Sequence, residues 1–484
     1  MVSLLLPVPS VRGRAVLSET IGSGTHVEVP VSTRVTKAPS DPRRLLVITY
    51  HFDPNRAVGG LRWLGLTKYL ARLGWKVAVL TATPPAGDDA SISGQVEECP
   101  RLGTFLDGLR MLRRLTFGQS LGWSSHGSRV AAQSAPPGPL HRLTMEVLGF
   151  LNFPDESRGW MFRAALRARS VIRRFQPQVV VSSGPPHAAH LVARMATIGS
   201  AVPWFIDMRD PWAGPLPKAW QSYRWGTWMF RVFAPLLERL AFQAAQGIIT
   251  TTSAFAEALA EKYPAVPVVC IPNGVDAECL PPPARDRYPG LGIAYAGMLY
   301  AGRDLGPLVS ALRIFLERHP AAAQDGAKLR IAGEAGAGHA RSFYETIAAA
   351  RMEQYVEVLG RLPRAQALDV VSRSRLAVVL AQEQELQVPA KLYESVAKGI
   401  PTLVVAPADS AAGVEGGRVG AVVRDPADVE GIACLLEQLW RDDARRQTLC
   451  PVSITYEEIA PLVDQLLETS LLLACAREGV GAGL

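Results

Sequence analysis

The sequence predicts an α/β chain made of two successive doubly wound domains that face a cleft. Three observations carry that prediction. Apolar runs of strand length alternate with amphipathic helical stretches along most of the chain. The alternation falls into two series, broken at the proline-rich stretch from Leu280 to Pro289. The length, 484 residues, also exceeds what one hydrophobic core usually serves.

Residues 1–42 are rich in Ser, Thr, Val, Pro and Gly without helical periodicity and read as a flexible N-terminal extension. Arg43-Arg44 then lead into Leu45–Tyr50, an apolar run that predicts a buried strand. A glycine-containing loop from Asp53 to Gly60 follows, then helical spacing from Leu61 to Leu73, which Gly74 stops. The strand Lys76–Thr81 completes a βαβ unit. Strands Val179–Ser183, Pro203–Asp207, Gly247–Thr252 and Val268–Pro272, with helices His187–Ile198 and Ala254–Lys262, fill out a first domain over 43–278. In the second domain, 279–456, strands Ile293–Ala296, Lys328–Ala332, Val356–Leu359, Leu376–Leu380 and Thr402–Val405 alternate with helices Leu305–Arg318, His339–Met352, Arg364–Ser372 and Ala390–Lys398. Residues 457–484 read as a C-terminal helix packing back on the first domain. Residues 86–160 fit the alternation less well. Within them Leu102–Leu115 is a basic amphipathic stretch that suits an ordinary solvated helix or an anionic lipid surface.

The formal net charge of +7 suits anionic partners such as phosphates or an acidic lipid surface. No Lys/Arg block is interleaved with aromatics and no zinc-finger spacing occurs, so nucleic acid is not an expected partner. The six cysteines form no C-x-x-C pair, which suits free thiols in a reducing compartment. The most apolar stretch, Trp225 to Ala245, is interrupted by Arg231, Glu238 and Arg239 and does not read as a membrane span. Leu4 to Leu6 before Arg12 are too short for a signal sequence. A cytoplasmic protein is expected, with association at the inner face of the membrane left open.

Phosphate-loop and G-x-G-x-x-G patterns are missing, as is any Asp-x-Asp to hold a divalent ion. His187 and His190 suggest no third ligand, so no metal or other cofactor is expected. Four strand-to-helix loops carry the chemistry. Gly59-Gly60 lets a backbone approach an anion at a helix start, or makes a plain tight turn. In the loop from Gly297 through Gly302-Arg303-Asp304, a cation stands at a helix start, where the dipole disfavours it unless an anion is bound; pairing with Asp304 is the plainer account. On the helix begun at Pro389, Lys391 and Glu394 are i,i+3 neighbours. The lysine suits a phosphate and the glutamate two vicinal hydroxyls, although a surface ion pair has the same spacing. Finally, Ser183 to His187 and the run ending Asp210-Pro211-Trp212 follow strands of the first domain at its expected ligand edge.

Together these segments resemble glycosyltransferase family 4, of GT-B fold with two Rossmann-like domains facing a cleft. The resemblance rests on Thr49 to Pro54 with Gly59, Gly60 and Arg62, Pro154-Asp155 with Gly159-Trp160, Ser183 to His187, and Arg209 to Trp212. It continues through Pro272 to Asp276 and Val388 to Glu394, in that order from about residue 44 to about 470. It implies retaining transfer from a nucleotide-sugar donor to a glycan, lipid-linked or small-molecule acceptor. Arg303 would hold the diphosphate and stabilise the leaving group, helped by Lys391 and approached by Gly60. Glu394 would hold the ribose, Gly333-Glu334 would lie near the donor, and Arg361-Leu362 near the base. His187 would serve the sugar or acceptor side, with Asp210 and Trp212 near it. One departure stands out. Many members carry a Glu eight positions before the second one, and here that position is Leu386, as in a branch with a shortened motif. Two further readings share the fold: an enzyme resembling a nucleotide-sugar epimerase, and a non-catalytic partner subunit.

Overall fold

A computed structural model describes residues 43–481 apart from 54–57, 86–93, 103–154, 156, 215–223, 282–283, 285, 300–302, 336–339 and 443–453. The extension 1–42, residues 103–115 of the basic stretch, Pro154, Gly302 and Pro282-Pro283 therefore lie outside the described residues.

The first domain holds seven strands: β1 (Arg43–Thr49), β2 (Trp75–Thr81), β3 (Gln95–Glu98), β4 (Val179–Gly184), β5 (Trp204–Met208), β6 (Gly247–Thr250) and β7 (Val268–Cys270). They pair in parallel in the order β3-β2-β1-β4-β5-β6-β7. A parallel sheet is covered on both faces, so its strands read as apolar runs without alternation. In β1, Leu46 and Ile48 point into a core shared with α2 (Arg158–Phe175), α3 (Ala188–Thr197), α4 (Arg224–Phe242) and α5 (Ser253–Lys262). Leu45 and Val47 point the other way, toward α1 (Leu61–Arg72). Gly74 takes φ +93° just after α1, the left-handed conformation of a helix-ending glycine.

The second domain holds β8 (Gly292–Ala296), β9 (Lys328–Ala332), β10 (Val356–Val358), β11 (Leu376–Leu380), β12 (Thr402–Val405) and β13 (Val422–Arg424), ordered β10-β9-β8-β11-β12-β13 and again parallel. Its helices are α6 (Gly306–Arg318), α7 (Pro320–Gln324), α8 (Ala340–Ala349), α9 (Arg364–Arg373), α10 (Ala390–Ala397), α11 (Ala411–Arg418) and α12 (Val429–Arg441). The elements β3, β13, α2, α4, α7, α11 and α12 have no counterpart among those read from the sequence.

The last helix, α13 (Tyr456–Gly481), lies on the first domain, where Tyr456, Ile459, Val463 and Leu467 complete the core against α1. Arg43 and Trp75 both donate to Asp464 Oδ1, at 2.8 and 2.7 Å. The chain thus crosses between domains twice, and the two crossings pair. Val275 N donates to Ile454 O and Tyr456 N donates to Val275 O, each at 2.9 Å. A Cβ at Gly274 would lie 2.8 Å from Ile454 O, so only glycine fits between the crossings. Asp276 anchors the outgoing one to α1, accepting from Lys68 Nζ at 3.0 Å and from Tyr69 OH at 3.0 Å.

Candidate functional site

Strand order reverses between β1 and β4 in the first sheet and between β8 and β11 in the second. Open parallel sheets bind ligands outside the carboxyl ends of their strands at such switch points. The loops leaving those four strands carry His51 and Gly59-Gly60, Ser183 to His187, Gly297 to Arg303, and Ala381 to Lys391.

On the first-domain side, Arg209 organises the wall. Its Nη1 donates to Gly59 O (2.7 Å), its Nε to Gly184 O (3.0 Å) and its Nη2 to Pro185 O (2.8 Å), which ties the two switch-point loops together. Behind it, Asp207 is buried and accepts from Arg62 Nε (3.1 Å), Trp63 Nε1 (2.8 Å) and Ser183 Oγ (2.7 Å). Arg62 also donates to the Ile271 and Pro272 carbonyls, at 2.9 and 2.7 Å, and so holds the start of the crossing.

His187 opens α3, whose first amide, Ala188 N, donates to Asp155 Oδ2 at 2.9 Å. Its ring stacks on Trp212, with centroids 5.2 Å apart and planes at 12°. Burial first, then its coupling to His190 and the charge of Arg209, lower its pKa well below the usual imidazole value. His51 is lowered to about 4 by burial and then by Arg209. Trp204 Nε1 donates to Ser182 Oγ at 2.8 Å, and Ser182 Oγ lies 2.9 Å from His190 Nδ1.

On the second-domain side, Lys391 turns inward from the start of α10. Its ammonium lies 4.1 Å from the centroid of the buried Tyr295 ring, and a Cβ at Gly297 would come within 2.7 Å of it. Nζ is buried and has no hydrogen-bond partner among the described residues. Burial, then repulsion from Arg303, pushes its pKa well below the usual lysine value, against a smaller pull from Glu394. Arg303 Nη2 donates to Gln384 Oε1 at 3.4 Å. The loop carrying it is pinned by Gln382, which donates to Asp304 O (2.6 Å) and accepts from Asp304 N (2.9 Å). Asp304 Oδ1 in turn accepts from Gly306 N at 2.8 Å, at the start of α6.

The two walls sense each other. Burial raises the Asp210 carboxyl, and the charges of Arg209 and then of Arg303 from the second domain oppose that rise. Thr252 Oγ1 also bridges to Leu386 O at 2.8 Å, and the Leu386 side chain packs on the first domain's core. The position where a carboxylate is usual in the resembled family therefore serves here as an apolar contact between domains.

Arg303, Lys391, Glu394 and Asp210 share this cleft, but several residues sit otherwise than their spacing suggests. Lys391 and Glu394 do not pair: Glu394 Oε1 accepts from Arg364 Nη2 at 2.5 Å, while Lys391 faces Tyr295. Trp212, expected on the acceptor side, is a core residue behind His187, because its large ring is worth more buried than exposed. Gly59 and Gly60 have packing reasons for lacking a side chain. A Cβ would lie 3.3 Å from the Arg209 guanidinium in the first and 2.8 Å from the Phe52 carbonyl carbon in the second. Gly333 packs against Gly297, whose carbonyl oxygen would be 1.9 Å from an added Cβ, and Leu299 N donates to Glu334 O at 2.9 Å. Arg361 is exposed, and Leu362 packs on a satellite core with Val370 and Ile400. Gly302 lies outside the described residues. The sequence alone gives no role to Arg364, Gln382 or Gln384. His51 lies in the segment Thr49 to Pro54 that carries the resemblance, and Gly297, which takes φ +137°, opens the loop that ends at Asp304. Among the described residues no three His, Cys, Asp or Glu side chains are grouped to hold a metal ion.

Residues 59–274 match the family model described as a glycosyl transferase 4-like domain. No curated protein matches the sequence. Solved structures similar to the chain include the N-terminal domain of trehalose-6-phosphate phosphatase from Candida albicans, at 12% identity and TM-score 0.56, covering 90% of this chain and 98% of that one. Sucrose-phosphate synthase from Thermosynechococcus elongatus is similar at 15% identity and TM-score 0.53, covering 89% and 100%. An α,α-trehalose 6-phosphate synthase from Burkholderia multivorans is similar at 14% and 0.53, covering 90% and 99%. At these identities the likeness speaks for the fold. The chain has the two-domain GT-B fold, and its residues 59–274 match the glycosyl transferase 4-like domain.

Proposed function

We propose that this chain is a retaining glycosyltransferase that moves a sugar from a nucleotide-diphosphate donor to an acceptor hydroxyl, in the cytoplasmic synthesis of a glycan or glycoconjugate. The observation that carries the reading is the buried, partnerless ammonium of Lys391 beside Arg303 at the second sheet's switch point. A buried ammonium beside a second cation is unfavourable until an anion joins them, and a diphosphate supplies charge for both.

The donor diphosphate sits against Arg303 and Lys391, with Gly333-Glu334 flanking it. Glu394, oriented by Arg364, accepts from the ribose hydroxyls, and Arg361-Leu362 border the base. As the bond from the anomeric carbon to the phosphate oxygen breaks, negative charge grows on the diphosphate, where the two preorganised cations stabilise it. The acceptor enters from the side of His187 and Asp210. Its oxygen bonds to the anomeric carbon on the face the diphosphate leaves, and its proton passes to the departing phosphate oxygen. The acceptor is a glycan, a lipid-linked saccharide or a small metabolite.

The test is a thermal-shift panel of UDP-, GDP- and dTDP-sugars, followed by transfer assays with the donor that binds. A bound ligand raises the melting temperature with the logarithm of its concentration. One nucleotide sugar should stabilise the wild type and leave Lys391→Ala and Arg303→Ala unmoved. No stabilisation by any nucleotide sugar overturns the reading. Conversion of the donor sugar without an acceptor would favour an epimerase.

A further inference from the structure

The helices α2, α3 and α4 lie on one face of the first sheet and share one core. That core is made largely of small residues on the inner sides of α2 and α3, such as Ala164, Ala168, Ala189 and Ala193, while large apolar side chains point outward. Phe162 and Leu166 are 68% and 70% exposed, one helical turn apart on α2. Trp228, Val232, Leu236 and Leu240 recur every four residues on α4, with Trp228 55% exposed. A soluble surface rarely carries so many large apolar groups in ordered rows unless something covers them.

Among the described side chains, the exposed charge on these three helices is positive. Six arginines stand on α2, one on α3, and Arg231 and Arg239 on α4. Two of those on α2, Arg167 and Arg174, are paired with the buried Glu97. The layer's own carboxylate among these described side chains, Glu238, is buried and held by Lys262, Tyr263 OH and Ala213 N. The arginine-rich area ends at α5, where Glu257 and Glu261 are exposed, and the opposite face of the domain carries exposed Glu457, Glu458 and Glu468 on α13. No helix among the described residues is long and apolar enough to cross a membrane.

We propose that the outer face of α2–α4 rests on the surface of a bilayer containing anionic phospholipid. The rows of Phe162, Leu166, Trp228, Val232, Leu236 and Leu240 enter the headgroup–acyl boundary, and the arginines beside them meet lipid phosphates. Rows of aliphatic side chains favour a bilayer over a nucleic acid, which would want flat stacking platforms along a groove. This surface stands apart from the donor site, and its test does not depend on that site's chemistry.

Sedimentation of the full chain with vesicles tests it. Vesicles of equimolar phosphatidylglycerol and phosphatidylcholine should pellet the protein at least about tenfold more strongly than phosphatidylcholine alone, and the difference should shrink as salt screens the arginines. The double variants W228S/L236S and R163E/R231E should each lose about tenfold in binding while keeping the wild-type melting temperature, since all four side chains are exposed. The proposal is overturned if the wild type ignores anionic vesicles, if both variants bind as the wild type does, or if the face retains single-stranded RNA and not vesicles.

Discussion

The face of the Tyr295 ring is turned to the Lys391 ammonium, 4.1 Å from centroid to nitrogen, while its hydroxyl donates to Met298 O at 3.0 Å. A ring face attracts a cation but does not neutralise it. The lysine is thus buried without a counter-charge, which disfavours the folded state.

Lys391→Met removes the buried charge and keeps an unbranched apolar side chain as far as Cε. Stability near neutral pH should rise by ~1–3 kcal/mol, measured by urea unfolding, while stabilisation by the nucleotide sugar disappears. The pH dependence has a definite sign. The folded pKa is lowered, so between it and the ordinary lysine value the unfolded chain binds more protons and stability rises with pH. The variant should lose that slope. Reduced stability with donor binding intact would refute this account of Lys391.

Arg62→Ala should cost ~3–5 kcal/mol, because it leaves Asp207 buried without its cation and frees the carbonyls of Ile271 and Pro272. The urea midpoint reports it.

Acid should weaken the fold through its histidines. His51 is lowered to about 4 and His190 to about 3, both mainly by burial, and His187 is also lowered. Below about pH 6.5 the unfolded chain takes up protons that the folded one refuses, so each histidine removes about 1.4 kcal/mol per pH unit until its folded pKa is reached. Unfolding followed from pH 7 to pH 4.5 should show this loss, and His51→Gln should reduce the slope by about one proton.

Gly333→Ala places a methyl 1.9 Å from Gly297 O and should cost about 2 kcal/mol. Gly297 must move to relieve it, and Lys391 lies against Gly297, so the donor's thermal shift should shrink as well.

The inner strands of both sheets were legible because buried parallel strands are apolar on both sides, as in Leu376–Leu380 and Thr402–Val405, whereas the less buried edge strands β3 and β13 were not. The helix α2 was not, because Ala164, Ala165 and Ala168 face inward and Phe162 and Leu166 outward, which inverts the usual amphipathic signal. In α11, Gly413, Gly416 and Gly417 suggest a loop, yet Gly413 is required where Pro407 O would lie 2.3 Å from a Cβ. Within the cleft, Arg303 and Lys391 stood out through their place in a strand-to-helix loop. The partners Arg364 of Glu394 and Gln382 of Asp304 come from distant segments, 30 and 78 residues away along the chain, where local spacing carries no signal.

The packing of α13 on α1 has a consequence for synthesis. Leu66 and Leu70 on α1 share their core with Ile459, Val463 and Leu467, which leave the ribosome only after the whole second domain. The first lobe to be translated is therefore the last to be completed, and until then it shows an uncovered greasy flank to chaperones and to neighbouring nascent chains.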